Sequence, residues 1–404
     1  MSEATRNADV SRARDGVLLV FAANGLVLAS LLSRLPDVKQ MLGLSPGELG
    51  GLLLALSAGA VIGLPSAGRI ARRIGARATI LTALAVVIPG LIGAAVAVEL
   101  RQPALAGVAL FLTGLGNGVW DVAQNLEGSV VEQELGRSIM PWFHAAFSAG
   151  TVAGALVGAL LTWQRVPIGA HLPAMAVLVV VVVLWGTRRF LPSATESTSA
   201  ETPDAATVGA RRRRGRSAWL ERRTLLIGVL VLAAAFTEGT ANDWLAVAFV
   251  DGHDLEPALG VLALAVFLTS MTAGRIIGTG ALDRFGRVPV LRTLFVAAIV
   301  GCLLVVFGSP ALAFVGAAIW GVGASLGFPV GMSAASDDPM RAAVRLSVVS
   351  TIGYTAFLAG PPLVGFLGDH VGVLNALLAV GAVSGAAILV SPAARPLKEL
   401  PADR

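Results

Sequence analysis

The 404-residue chain has one cysteine, Cys302, one tyrosine, Tyr354, and only four histidines. A single thiol excludes a disulfide framework, and the scattered histidines offer no metal-ligand spacing. Charge is scarce too: Asp, Glu, Lys and Arg make up 14% of the residues, against about 25% in soluble domains. A Gly-x-x-x-x-Gly-Lys-Ser/Thr phosphate loop is missing, which disfavours a nucleotide-driven pump. His-Glu-x-x-His and Gly-x-Ser-x-Gly are missing as well, which disfavours a membrane enzyme. No cofactor and no metal are implied. The 47 glycines follow no Gly-x-y period, so a collagen-like chain is excluded.

Apolar residues dominate instead, at 55% with a mean hydropathy of +0.79. Twelve apolar stretches recur, at 17–33, 50–68, 78–98, 104–126, 141–163, 171–187, 224–250, 257–280, 288–308, 310–333, 346–368 and 371–391. About 20 apolar residues span a bilayer core, and lipid admits helices rather than open strands. The expected fold is an all-α integral membrane protein of twelve transmembrane helices. The first stretch follows Arg6, Arg12 and Arg14, yet it is long for a signal peptide and eleven more stretches come after it.

Basic residues sort by side. Of 30 Lys and Arg, 25 fall on the side holding both termini and four on the other (Arg34, Lys39, Arg101 and Arg165), with Arg275 inside a helix. The positive-inside rule then places both termini in the cytoplasm of a cell membrane. The net charge of +5 therefore reflects membrane topology, and no nucleic-acid partner is expected. Residues 192–222 are polar and include the run Arg211-Arg212-Arg213-Arg214-Gly215-Arg216. They form a cytoplasmic linker between an N-terminal bundle (1–191) and a C-terminal bundle (223–404), with the arginines resting near anionic lipid headgroups.

The two bundles overlay at a constant offset of 211 residues, the separation of Gly75 from Gly286. Leu44-x-Pro46 falls on Leu255-x-Pro257, Gly63 on Gly274, Arg73 on Arg284, Gly116 on Gly327 and Gly154 on Gly365. Duplicated halves around a shared central site are the architecture of secondary transporters.

The loop after the second helix of each half carries a recognisable pattern. The first copy runs Gly68-Arg69-Ile70-Ala71-Arg72-Arg73-Ile74-Gly75-Ala76-Arg77, and the second Asp283-Arg284-Phe285-Gly286-Arg287. Both resemble the Gly-x-x-x-Asp-Arg-x-Gly-Arg signature of the major facilitator superfamily. That resemblance implies two pseudo-symmetric six-helix bundles and a cytoplasmic gate at Gly68, Arg72, Arg73, Gly75, Asp283, Arg284, Gly286 and Arg287. Arg72 stands where the family usually has Asp, so the first-half gate contact differs. Within the family, Arg34-Leu35-Pro36-Asp37-Val38, Asp121-Val122-Ala123-Gln124-Asn125, His144, Glu238-Gly239 and Asp243-Trp244 are similar to the fucose-permease-like branch.

Intramembrane polar residues are costly and are functional candidates by default. Asn117, Asp121, Gln124 and Asn125 share one face of the fourth span. The seventh carries Glu238, Asn242, Asp243 and Trp244, and the eleventh Tyr354 within a run of hydroxyl residues. Burial of a carboxylate favours its protonated form, which suits Asp121 to carry a coupling proton. The resemblance points the same way, since a helix-4 acid followed by Ala and Asn is linked to proton coupling in that branch. The branch's partner Asp on helix 1 has no counterpart, which argues against fucose itself.

Glu238 and His144 are further coupling candidates, histidine having an unperturbed pKa of about 6.5. Arg275 either binds an anionic substrate group or neutralises an acid. Asp243 forms a gate or an ion pair with Arg34, and Glu127 is a solvated helix-end charge. Trp120, Phe147, Trp244 and Trp320 either stack on a planar solute or pack. The expected function is a proton-coupled transporter of a small sugar-like solute, acting as a monomer in contact with lipid. The alternative is a proton-driven exporter of a lipophilic compound. A Gly-Pro pair common in the fifth helix of such exporters is missing; Gly360-Pro361-Pro362 in the eleventh suggests a bend instead.

Overall fold

The computed structural model describes residues 3–136, 139–191, 217–338 and 340–397, with the side chains of residues 3–7 and of residue 343 left aside. The linker arginines therefore lie outside the described residues. The described chain is helical and strand-free. The first half contains α1 (Glu3–Leu32), α2 (Leu35–Leu42), α3 (Pro46–Glu99), α4 (Pro103–Leu135), α5 (Met140–Trp163) and α6 (Ile168–Thr187). The second contains α7 (Arg222–His253), α8 (Pro257–Phe285), α9 (Arg287–Phe307), α10 (Pro310–Ala324) and α11 (Gly327–Ala335). It continues with α12 (Ala342–Val371), α13 (Val373–Ala376) and α14 (Leu378–Val390).

Eleven helical runs among the described residues are long and apolar enough to cross a membrane. One of them, α3, has 54 residues, about 80 Å of helix against a hydrocarbon core of about 30 Å. It is two spans in one run, which brings the total to the expected twelve. The turn expected at 69–77 is thus almost wholly helical, and only Gly75 leaves helical geometry (φ 80°, ψ 161°). A residue with a β-carbon resists that conformation. Its partner in the repeat, Gly286, separates α8 from α9 at φ 77° and ψ 169°. Gly43 (φ 64°) and Asp254 (φ 53°), again 211 apart, end α2 and α7 in left-handed geometry. The duplication is therefore preserved in backbone angles as well as in sequence.

Three further boundaries differ from expectation. α1 starts fourteen residues before the apolar stretch, because nothing in 3–15 breaks a helix and Ala13 joins Val17, Phe21 and Phe143 in a buried cluster. The tenth span breaks at Ser325 and Leu326 into α10 and α11, because Pro329 has no N–H for the Ser325 carbonyl four residues before it and its ring crowds that carbonyl. α12 stays helical through Pro361 and Pro362.

Proline opens several helices, with Pro46, Pro103, Pro257 and Pro310 at the first positions, where its missing N–H costs nothing. Helices then approach closely through glycine. A β-carbon on Gly114 would stand 1.9 Å from the Leu56 carbonyl oxygen, and one on Gly150 would stand 2.0 Å from that of Ala22. Between the halves, α3 meets α12 and α5 meets α8. Lys39 pairs with Asp251 across the halves at 2.8 Å, at the arginine-poor end. Gly114→Ala should lower the melting temperature in detergent through an overpacking cost of about 1–3 kcal/mol. Gly51→Ala, which meets open space, should leave it unchanged; equal melting temperatures would refute the packing account.

Candidate functional site

The polar face of α4 turns inward as its spacing requires. Asp121 is half-buried, and its Oδ1 accepts Gln124 Nε2 at 3.2 Å and Asn125 Nδ2 at 3.4 Å. The shorter bond of Asn125 goes to the Asp121 carbonyl at 2.8 Å. Gln124 is fully buried and its Oε1 has no partner among the described residues, as is true of Asn117 Oδ1 and both amide atoms of Asn24 on α1. This run of unpaired amide groups marks polar space inside the first half.

His144, exposed near the start of α5, lies within electrostatic reach of Asp121 and of Arg275 on α8. Its ring meets Phe21 edge-on at 5.5 Å, and Phe21 stacks on Phe143 at 5.6 Å. Tyr354 of α12 is also within electrostatic reach of Asp121. Four candidates therefore converge from α4, α5, α8 and α12, two from each half.

Arg275 Nη2 donates to both carboxylate oxygens of Glu238 on α7 at 3.0 Å. Its Nε donates to the Ser325 carbonyl at 3.2 Å, at the break between α10 and α11. One guanidinium thus neutralises an acid and occupies a carbonyl freed by the broken helix. Pro329 is the sequence signal for the break, but it does not identify Arg275 as the partner of the freed carbonyl.

Trp120, Trp244 and Trp320 are fully buried, so none offers a face to a solute here. Trp320 packs edge-on to Phe267 and donates its Nε1–H to the Thr237 carbonyl at 3.2 Å. Phe147 is half-buried and Tyr354 exposed, which leaves those two aromatic rings accessible. Asn242 and Asp243 are half-buried on α7.

The expected pairing of Asp243 with Arg34 does not form. Arg34 is itself buried and donates to Asp37 Oδ2 at 2.6 Å, His171 Nδ1 at 2.8 Å and the Val166 carbonyl at 3.0 Å. An acid one helical turn away outcompetes one on another helix. Glu127 is also not solvated: it is 8% exposed, its Oε1 has no partner among the described residues, and the backbone at Leu191, where the chain leaves α6, lies close to its carboxylate. A cleft of about 410 Å³ at the arginine-poor end, lined by Arg34, Asp37, Arg165 and Glu256 among others, shares none of the central residues.

At the arginine-rich end, the two copies of the signature loop differ. Arg72 and Arg73 are exposed, and Gly68 packs near Arg72. Asp283 and Arg284 are exposed, the latter over the Phe285 ring at 5.2 Å. Arg287 donates to both oxygens of Asp337 at 2.8 and 3.0 Å, and Arg223 also donates to Asp337 at 2.8 Å. Nearby, Glu221 accepts Arg345 Nε at 2.7 Å and Thr224 Oγ1 at 2.8 Å, and pairs with Arg341.

Burial opposes the Glu221 charge, but hydrogen bonds from Arg345 and Thr224 and the charges of both arginines outweigh it, holding the carboxyl below its usual range. A depressed carboxyl stabilises the fold above its unfolded pKa of about 4.3, and that stability is lost as pH falls through the folded value. The melting-temperature gap between wild type and Glu221→Gln should hold steady from about pH 8 to 5 and shrink in stronger acid. A gap that widens in acid would contradict the assignment. At the centre, Arg275→Met should destabilise more than Glu238→Gln with Arg275→Met, because the single variant strands a half-buried carboxylate. Additive melting shifts would show that the pair is not coupled.

Comparison with known proteins accords with this arrangement. The sequence model of the Major Facilitator Superfamily matches residues 17–337 and 253–404. An uncharacterized MFS-type transporter of Yersinia pestis is 30% identical over 380 residues, covering 93% of this chain and 94% of the relative. A variant of the nucleoside transporter NupG superposes with a TM-score of 0.74 at 15% identity, covering 96% of this chain and 98% of that one. A variant of the E. coli fucose:proton symporter FucP superposes at 0.59 with 16% identity, covering 94% and 97%. With the twelve spans, the repeated glycine turns and these matches in agreement, the chain belongs to the Major Facilitator Superfamily of transporters.

Proposed function

We propose that this transporter moves a small polar, sugar-like solute across the cell membrane, coupled to protons and by alternating access. The observation that carries the reading is the convergence of Asp121, His144, Arg275 and Tyr354 from both halves. A proton on Asp121 and a solute between the halves would share one space, so each occupancy changes the field felt by the other. Glu238 is already neutralised by Arg275; of the uncommitted acids Asp121 and Asp243, Asp121 is the one within electrostatic reach of His144, which suits it best to exchange a proton. His144 is placed to relay it, and Asn117, Asn125, Asn242 and Tyr354 supply neutral donors and acceptors for hydroxyl groups.

A lipophilic cargo is less well matched, since the three large tryptophans are sealed into helix contacts. FucP is a fucose:proton symporter by name, which agrees with a polar cargo and a proton. Both termini are assigned to the cytoplasm from the arginine distribution, and the monomer to sufficiency of one twelve-helix unit. The arginine-poor end, where Lys39 meets Asp251, is then the outer end, closed in this conformation.

In proteoliposomes, Asp121→Asn should abolish proton-driven accumulation while retaining part of the exchange or binding. Wild-type coupling in that variant would remove Asp121 from the mechanism. The solute class is tested by thermal shift in detergent, where a ligand at 100 times its Kd stabilises by about 2.7 kcal/mol. Stabilisation by sugars or sugar acids is expected; stabilisation by lipophilic compounds alone would replace the reading with an exporter.

A further inference from the structure

The first N–H groups of a helix have no partner within it. At the start of α3, Ser45 Oγ accepts the Glu48 N–H at 3.2 Å, and the Glu48 carboxylate accepts the Ser45 N–H at 2.8 Å. The Gly47 N–H is satisfied from the other half of the molecule. It donates to Asp369 Oδ1 at 3.0 Å, across 322 residues of sequence, and Ser45 Oγ–H reaches Oδ2 at 3.5 Å. Asp369 stands at the end of α12, so a carboxylate of the second half caps a helix of the first, where the helix dipole favours negative charge.

The surrounding seam is built for that approach. A β-carbon on Gly47 would stand 2.2 Å from Asp369 Oδ2. One on Gly50 would stand 2.8 Å from the Pro361 carbonyl oxygen, and one on Gly365 would stand 2.6 Å from that of Pro46. Only hydrogen fits at these points, and the two helices meet nearly backbone to backbone.

The duplication supplies an internal control. At the 211-residue offset, Asp369 corresponds to Gly158 and Gly47 to Ala258, on the α5–α8 seam. Neither end of the cap exists there: a β-carbon on Gly158 would meet Ser33 Oγ of its own half at 2.2 Å, and Val261 of α8 across the seam only at 3.7 Å. Lys39 and Asp251 likewise correspond to Val250 and Gln40. The polar links at this end thus have no mirrored counterpart.

We propose that Asp369 is a conformational latch: by capping α3 across the α3–α12 seam it holds the arginine-poor end shut, and its release lets that end open. The latch rests on the alternating-access reading above, and its test reads distance rather than transport.

Cys302 is buried, and Cys302→Ser would keep a donor for the Leu377 carbonyl. In a Cys302→Ser background, Gln102→Cys and Ser309→Cys place one spin label on each half at exposed turns of this end. Pulsed electron paramagnetic resonance then measures the separation. Asp369→Ala should raise the ratio of long to short distances by about five- to tenfold, the loss of one charge-assisted hydrogen bond. Gly47→Ala should act in the same direction and carries the test if Asp369→Ala fails to fold. Asp369→Asn, whose amide oxygen still accepts the Gly47 N–H but without the charge, should fall between the parent and Asp369→Ala.

Distance distributions in Asp369→Ala and Gly47→Ala that superimpose on the parent's would overturn the latch. Uptake measured on the parent separates the two ideas. A parent that accumulates no solute, with variants that still open, would leave the latch standing and remove the transport reading.

Discussion

Helices in lipid gain little from apolar attraction to one another, so their association depends on how closely their backbones pack. In this protein that closeness comes from glycine. Gly59, Gly63, Gly114 and Gly118 bring the first part of α3 against α4, and Gly25, Gly150 and Gly154 bring α1 against α5. Gly301, Gly316 and Gly323 do the same for α9 and α10, and Gly50 and Gly365 for the seam between halves. Each half is stiff because these contacts leave no room for a methyl group. Stiff halves, in turn, are what allow a small set of polar contacts at their junction to decide how the two are disposed.

Charge is distributed by the same economy. Among the acids and bases inside the membrane region, Glu238 is paired with Arg275 and Arg34 with Asp37, Asp121 is held by Gln124 and Asn125, and Asp243 has neither kind of partner among the described residues. Amides orient a carboxylate without fixing its charge, whereas a guanidinium commits it to the ionised form. That difference separates Asp121 from Glu238, though both are single acids on polar helix faces. It also explains why the Arg275 side chain reaches a broken helix: a cation with one acid to neutralise still has donors to place, and Ser325 offers a carbonyl freed from its helix.

Spans, handedness of charge and duplication were legible in the sequence because each depends on local composition or on a fixed offset. The continuous α3 was not, since an arginine-rich turn and an arginine-rich helix have the same composition, and the one decisive feature is the φ of Gly75. The inward face of α4 followed from spacing alone. Partners did not: Arg34 takes Asp37 rather than Asp243, and Glu127 is covered by the chain at Leu191, outcomes that depend on where distant segments return. Asp369 was invisible for the same reason, its partner lying 322 residues away.

The duplication therefore does more than describe ancestry. At the 211-residue offset Asp121 corresponds to Met332, Glu238 to Val27, Arg275 to Leu64, His144 to Thr355 and Tyr354 to Phe143. None of these five has a chemically equivalent counterpart, while the gate residues Arg73 and Gly75 match Arg284 and Gly286, and the packing glycine Gly154 matches Gly365. Symmetric positions build the frame, because both halves must pack and turn alike. In the proposed transport cycle chemistry sits where the repeat is broken, because one solute and one proton between two halves need one set of groups, not two. Asp369 obeys the same logic at the arginine-poor seam, where a carboxylate caps α3 on one side and the position 211 residues earlier is Gly158.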